Sequence, residues 1–155
     1  MDALFAWLEH TSAAAAIASS TTLTGSLSAI HVIGFVLVMS GALVANVRSL
    51  RVRIAGRDGA GIATQANRLM LVGLAVSLLT GGLLFAARAT DASANGVFQL
   101  KMLLLVAAVV VHFAVSGIAR EGARGGAALA RAGHALSLVV WLALAVTACA
   151  FILLE

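Results

Sequence analysis

The histidines, the one lysine and the one cysteine of this sequence, His10, His31, Lys101, His112, His134 and Cys149, are side chains that can ligate a metal, carry a proton or hold an anionic group. All but His10 lie in or beside long apolar runs. An imidazole in such a setting is a haem or metal ligand, a proton carrier, or a hydrogen-bonding group between helices. His31 is the hardest to explain as packing alone. In residues 30–53, IHVIGFVLVMSGALVANVRSLRVR, helical spacing puts His31, Gly34, Val38, Gly41 and Ala45 on one face. Small residues mark where helices approach closely in lipid, and an ionisable group on that face points into a bundle rather than at acyl chains.

The other candidates fall on similar faces. One run aligns Lys101, Leu105, Ala108 and His112, and another aligns His134, Ser137, Trp141 and Ala145. A third aligns Gly73, Ser77 and Gly81, with Thr80 beside them. At ~1.5 Å per residue, His31 and Lys101 both sit about four residues below one boundary, with Cys149 at similar depth. His10 could approach this outer group from the N-terminal segment. His112 and His134 form an inner group, His112 roughly seven residues from the opposite edge and His134 close to it. Each has a plainer reading. Lys101 can snorkel, His134 can be solvated at the edge, and His112 can bond across helices. Cys149 can be a small apolar filler and His10 a surface residue.

The elements that must carry these residues follow from composition. The chain has 155 residues, 62% hydrophobic and 10% charged, with mean hydropathy +1.08. A soluble domain carries about 25% charged residues, so this composition implies an integral membrane protein, here a single domain over 1–155. There is no proline and there are 15 glycines. The alternating segments of a membrane β-barrel do not occur. The net charge of +4 lies beside the apolar runs, which argues for membrane asymmetry and not for nucleic acid. The single Cys149 leaves no internal disulfide and no cysteine-based zinc or iron–sulfur framework. The start lacks the basic region of a cleavable signal peptide.

Residues 1–24 read as an interfacial segment, with Trp7 at headgroup level and the Ser/Thr run 19–24 as a loop. Four spans follow at about 27–47, 69–87, 97–119 and 133–154, each near the ~20 residues that cross a bilayer. The first loop holds Arg48, Arg51, Arg53, Arg57 and Arg68, and with Gly56, Asp58, Gly59 and Gly61 is long enough to move. The third loop holds Arg120, Arg124 and Arg131, whereas the middle loop, ATDASANG, has only the flanking Arg88. By the positive-inside rule the first and third loops are cytoplasmic and both termini periplasmic, in a bacterial inner membrane. The expected fold is all-α, an up-down-up-down four-helix membrane bundle with a short N-terminal interfacial helix.

Several short motifs match a known pattern: His31-Val-Ile-Gly34, Ser40-Gly41, Val47-Arg48-Ser-Leu-Arg51, Thr80-Gly81-Gly-Leu-Leu-Phe85, Asn95-Gly-Val-Phe98-Gln-Leu-Lys101 and Leu136-Ser137-Leu-Val-Val-Trp141. In these the chain resembles a bacterial four-helix inner-membrane family known mainly as a domain of unknown function. The resemblance covers most of the chain after residue 25. It implies the four-span architecture and points to His31, Lys101 and Trp141, but supplies no established reaction. That family often has Asn where this chain has His112, and a basic residue where it has Ala148-Cys149, so His112 is particular to this chain.

Three functions are open. A small membrane subunit that anchors or assembles with a larger complex, including a redox complex, needs only helix-binding polar groups. Its partners are lipid, other membrane subunits or further copies of itself. A haem-b electron-transfer protein needs axial imidazoles at one level, small residues beside the ring and cations for the propionates. The cofactor set for that reading is His31, Lys101, His112 and Trp141, although His31 and His112 differ in depth by roughly 10 Å. A small transporter or metal handler would use the histidines as steps, with His31, His10 and His134 as the metal set. No motif of a soluble-type enzyme is present. On sequence grounds His31→Ala is expected to weaken function or assembly more than His134→Ala.

Overall fold

The computed structural model describes residues 2–49, 59–120 and 126–154. The described chain is all-α: α1 (Asp2–Glu9), α2 (Ser12–Ser19), α3 (Thr21–Ser49), α4 (Gly59–Ala86), α5 (Ala89–Ala94), α6 (Gly96–Arg120) and α7 (Gly126–Leu154). Four of these helices are long and apolar enough to cross a membrane, over Thr21–Val47, Thr64–Ala86, Gly96–Gly117 and Arg131–Phe151. They pack as a bundle in which α3 lies against α4 and α7, and α6 against α7. Arg51, Arg53, Arg57, Arg124, Gly56 and Asp58 lie outside the described residues, and so does most of the first loop. Gly59 and Gly61, expected in that loop, belong to the first turn of α4.

Three local departures from the sequence expectation have the same cause: short polar side chains satisfy helix ends at close quarters. The N-terminal segment is two helices rather than one, because the Thr11 side chain caps α2, accepting from Ala14 N at 3.4 Å, while its hydroxyl donates to Leu8 O at 2.8 Å. The expected loop 19–24 reduces to Ser20. Ser20 Oγ accepts from Leu23 N at 3.3 Å, and Thr24 Oγ1 donates to Ile17 O at 2.8 Å, so the Ser/Thr run becomes the first turn of α3. The middle loop is mostly the helix α5, and Asn95 Oδ1 then caps α6 by accepting from Val97 N and Phe98 N.

Close approach defines the α3–α4 seam. A Cβ on Gly41 would lie 2.5 Å from Ala66 O and 2.8 Å from Met70 Cβ. A Cβ on Gly73 would lie 2.6 Å from Gly34 O. Only glycine lets these backbones meet, as small residues do at membrane helix crossings. The core beside this seam is Val38, Ala42, Met70, Ala108, Trp141 and Leu144. Outward faces carry exposed aliphatics, including Ile33 and Val36 on α3, Leu79 on α4, Leu103 and Val110 on α6, and Val139 and Val146 on α7. That surface is compatible with lipid contact.

At the end that carries α1 and α5, rings tie the elements together. Phe5 on α1 meets Phe85 edge-on at 6.0 Å, Phe85 stacks on Phe98 at 5.3 Å, and Phe98 approaches Phe151 at 5.9 Å. Glu9 Oε1 accepts from Thr90 N at the start of α5, at 2.8 Å. Such a carboxylate suits a helix N-terminus. Trp7 and Leu4 stay exposed on α1, as an interfacial helix requires.

Candidate functional site

The bundle holds two separate polar layers. In the outer one, His31 Nδ1 lies 3.0 Å from Ser77 O and 3.2 Å from Thr80 Oγ1. A carbonyl can only accept, so Nδ1 carries the proton and donates. The Thr80 hydroxyl donates to Val76 O at 2.7 Å and so turns a lone pair toward the ring. Ser77 Oγ donates back to His31 O at 3.3 Å. The ring rests against Gly81, where a Cβ would lie 2.8 Å from Cε1. With Nδ1 protonated, Nε2 keeps its lone pair.

Lys101 is brought to the same layer. Its ammonium lies within electrostatic reach of His31 and 5.4 Å from the centroid of the Phe151 ring, a cation–π contact. His10 and Cys149, expected near this group, are both exposed; His10 sits in the link between α1 and α2.

In the inner layer each of the four spans contributes one member of two Asn–His pairs. Asn46 Nδ2 donates to Ala42 O at 2.8 Å, which turns Oδ1 toward His134 Nδ1 at 3.1 Å. His134 therefore donates from Nδ1. His112 Nε2 faces Asn67 Oδ1 at 3.2 Å and donates there. So Asn46 on α3 binds His134 on α7, and Asn67 on α4 binds His112 on α6. His112 also stands edge-on to Trp141, with ring centroids 6.3 Å apart. His134 is 7% exposed, which corrects the expectation of a solvated edge histidine.

The layers are far apart. Ser77 and Asn67, which mark them on α4, are ten residues from each other, or ~15 Å along the helix. On α3, His31 and Asn46 are fifteen residues apart, or ~22 Å. Between the layers sit Val38, Met70 and Ala108 of the apolar core. The cofactor set thus divides into His31 with Lys101 and His112 with Trp141. His31 and His112 cannot be the two axial ligands of one haem. His31 and His134 cannot hold one metal ion, and among the described residues no three His, Cys, Asp or Glu are grouped for one.

Asn46 and Asn67 are the site residues that sequence reading missed. The signal was present, since an amide in an apolar helix needs a partner as an imidazole does. Asn46 lies one position beyond Ala45 at the end of the small-residue stripe, on a buried line through Val38 and Ala42. Asn67 lay just before the expected start of the second span.

No family model, no curated protein and no solved structure matches this chain.

Proposed function

We propose that this chain is a small integral membrane subunit that assembles with other membrane polypeptides or with itself, a redox complex being one such assembly. The observation that carries the reading is that every histidine inside the spans makes a hydrogen bond to a neighbouring helix. Polar groups used in this way fasten helices and leave the outer faces for lipid and partners. The arginines of the first and third loops support a bacterial inner-membrane setting with both termini periplasmic. The likeness to the uncharacterised four-helix family belongs to the same proposal, because that family shares the architecture and no reaction. Native mass spectrometry of gently solubilised protein is expected to show a second polypeptide or a homo-oligomer. A preparation that stays monomeric when extracted in its own lipids would sink the reading.

One observation favours a second reading, a haem-b electron-transfer protein. His31 donates from Nδ1 to a backbone carbonyl, the arrangement that orients a metal-ligating imidazole and raises its basicity. Nε2 would then be the ligating atom, on an imidazole seated against Gly81, and Lys101 would be the cation for a propionate. A haem would provide one-electron chemistry, and the protein would set its orientation and surroundings. The expected spectrum has a Soret band that His31→Ala abolishes and His134→Ala retains. Purified protein with no Soret band, even after haem is supplied, removes this reading.

A further inference from the structure

Three buried polar atoms have no hydrogen-bond partner among the described residues: His112 Nδ1, Ser137 Oγ and Trp141 Nε1. They belong to one region. Ser137 and Trp141 are one turn apart on the buried face of α7, both wholly enclosed. The His112 ring on α6 is the neighbour of that indole, edge-on at 6.3 Å between centroids. Leaving such groups unpaired is strongly disfavoured, above all where lipid surrounds the bundle, and native interiors leave few of them.

The chemistry of the three atoms is complementary. Because Nε2 of His112 donates to Asn67, its Nδ1 is a bare acceptor. The indole N–H only donates, and the serine hydroxyl does both. A partner for all three must therefore both donate and accept. It must also be small, because Trp141 is packed into the cluster with Val38, Ala42, Met70, Ala108 and Leu144. Water meets both demands, and buried waters typically make about three hydrogen bonds.

We propose that His112, Ser137 and Trp141 form an internal water-binding site between α6 and α7. The water donates to His112 Nδ1 and accepts from the indole N–H, with the Ser137 hydroxyl as its third partner. It gives His112 an exchangeable proton donor inside the bundle, so the inner layer is hydrated rather than dry. This inference goes beyond the subunit reading and does not rest on it.

The test uses the full chain in lipid nanodiscs. The Trp141 indole resonance is the one that remains in Trp7→Phe, a change at an exposed site. The expected result is a cross-peak between that indole proton and water in NMR, together with a hydrogen-bonded indole signature in the ultraviolet Raman spectrum of the same variant. The cross-peak is expected to persist in Ser137→Ala, where two partners still hold the water. Its loss in that variant would show that the signal came through the serine hydroxyl, and would overturn the proposal. An indole that is hydrogen-bonded without a water cross-peak, or not hydrogen-bonded at all, would overturn it too.

Discussion

Leucine in place of Gly73 is expected to force α3 and α4 apart and to remove about 3 kcal/mol of stability, the upper end of what overpacking costs. The reason is that nothing at this contact can rotate away. A Cβ there would lie 2.6 Å from Gly34 O and 2.7 Å from Val38 N, both backbone atoms, and 2.8 Å from Leu37 Cβ. The contact is reciprocal, since a Cβ on Gly34 would lie 2.7 Å from Ser77 Oγ and 3.0 Å from Ser77 N. Displacing α4 here also moves Ser77, which accepts from His31. Gly82→Leu is the control, because a Cβ at that position meets nothing within 4 Å. Thermal unfolding in one detergent compares the two. Equal midpoints for both variants would mean that the α3–α4 seam does not hold the bundle together.

The second large effect concerns stability, where the order differs from the one expected for function or assembly. For stability, His134→Ala is expected to cost about 1–3 kcal/mol and His31→Ala less than about 1 kcal/mol. The difference lies in what each change leaves behind. Without His134, Asn46 Oδ1 loses its cross-helix donor at a site where Asn46 is 1% exposed. Without His31, the Thr80 hydroxyl still donates to Val76 O, and Ser77 O still belongs to its own helix. Removing both members of the inner pair, as in Asn46→Leu with His134→Leu, is expected to recover part of the loss, because no polar atom is then stranded. Unfolding midpoints that fall equally in His31→Ala and His134→Ala would contradict this account. Activity or assembly can still depend more on His31, since its Nε2 is held ready by a carbonyl and its loss removes chemistry without removing packing.

The spans and the inward placement of His31 were legible because both depend on period alone. Apolar runs of about twenty residues leave little choice of fold, and the glycines at 34, 41 and 73 are found at the seam they suggest. Helical rise converts sequence distance into depth, which puts Lys101 within electrostatic reach of His31. What could not be read was pairing. Which imidazole meets which amide depends on the rotation of four helices about their axes, and a drift of one residue along a stripe exchanges Ala45 for Asn46. The helix ends were likewise hidden. Ser20 and Thr24 look like loop residues by composition, yet Ser20 Oγ accepts from Leu23 N within one turn, and the Thr24 hydroxyl reaches back across the break to Ile17 O, so a helix can begin there. In α5 the six residues ATDASA carry no apolar period, and the helix is held from outside by the Glu9 carboxylate at its first turn.

That carboxylate contact has a consequence for biogenesis. Glu9 and Thr90 are 81 positions apart, and Phe5 finds its ring partner only at Phe85. α1 therefore meets these long-range partners only after two of the spans have been synthesised. Its ring chain is completed only when Phe151 arrives at the end of the last span. Contacts of such long range form late, so the complete ring chain from Phe5 to Phe151 reports that all four spans have come together.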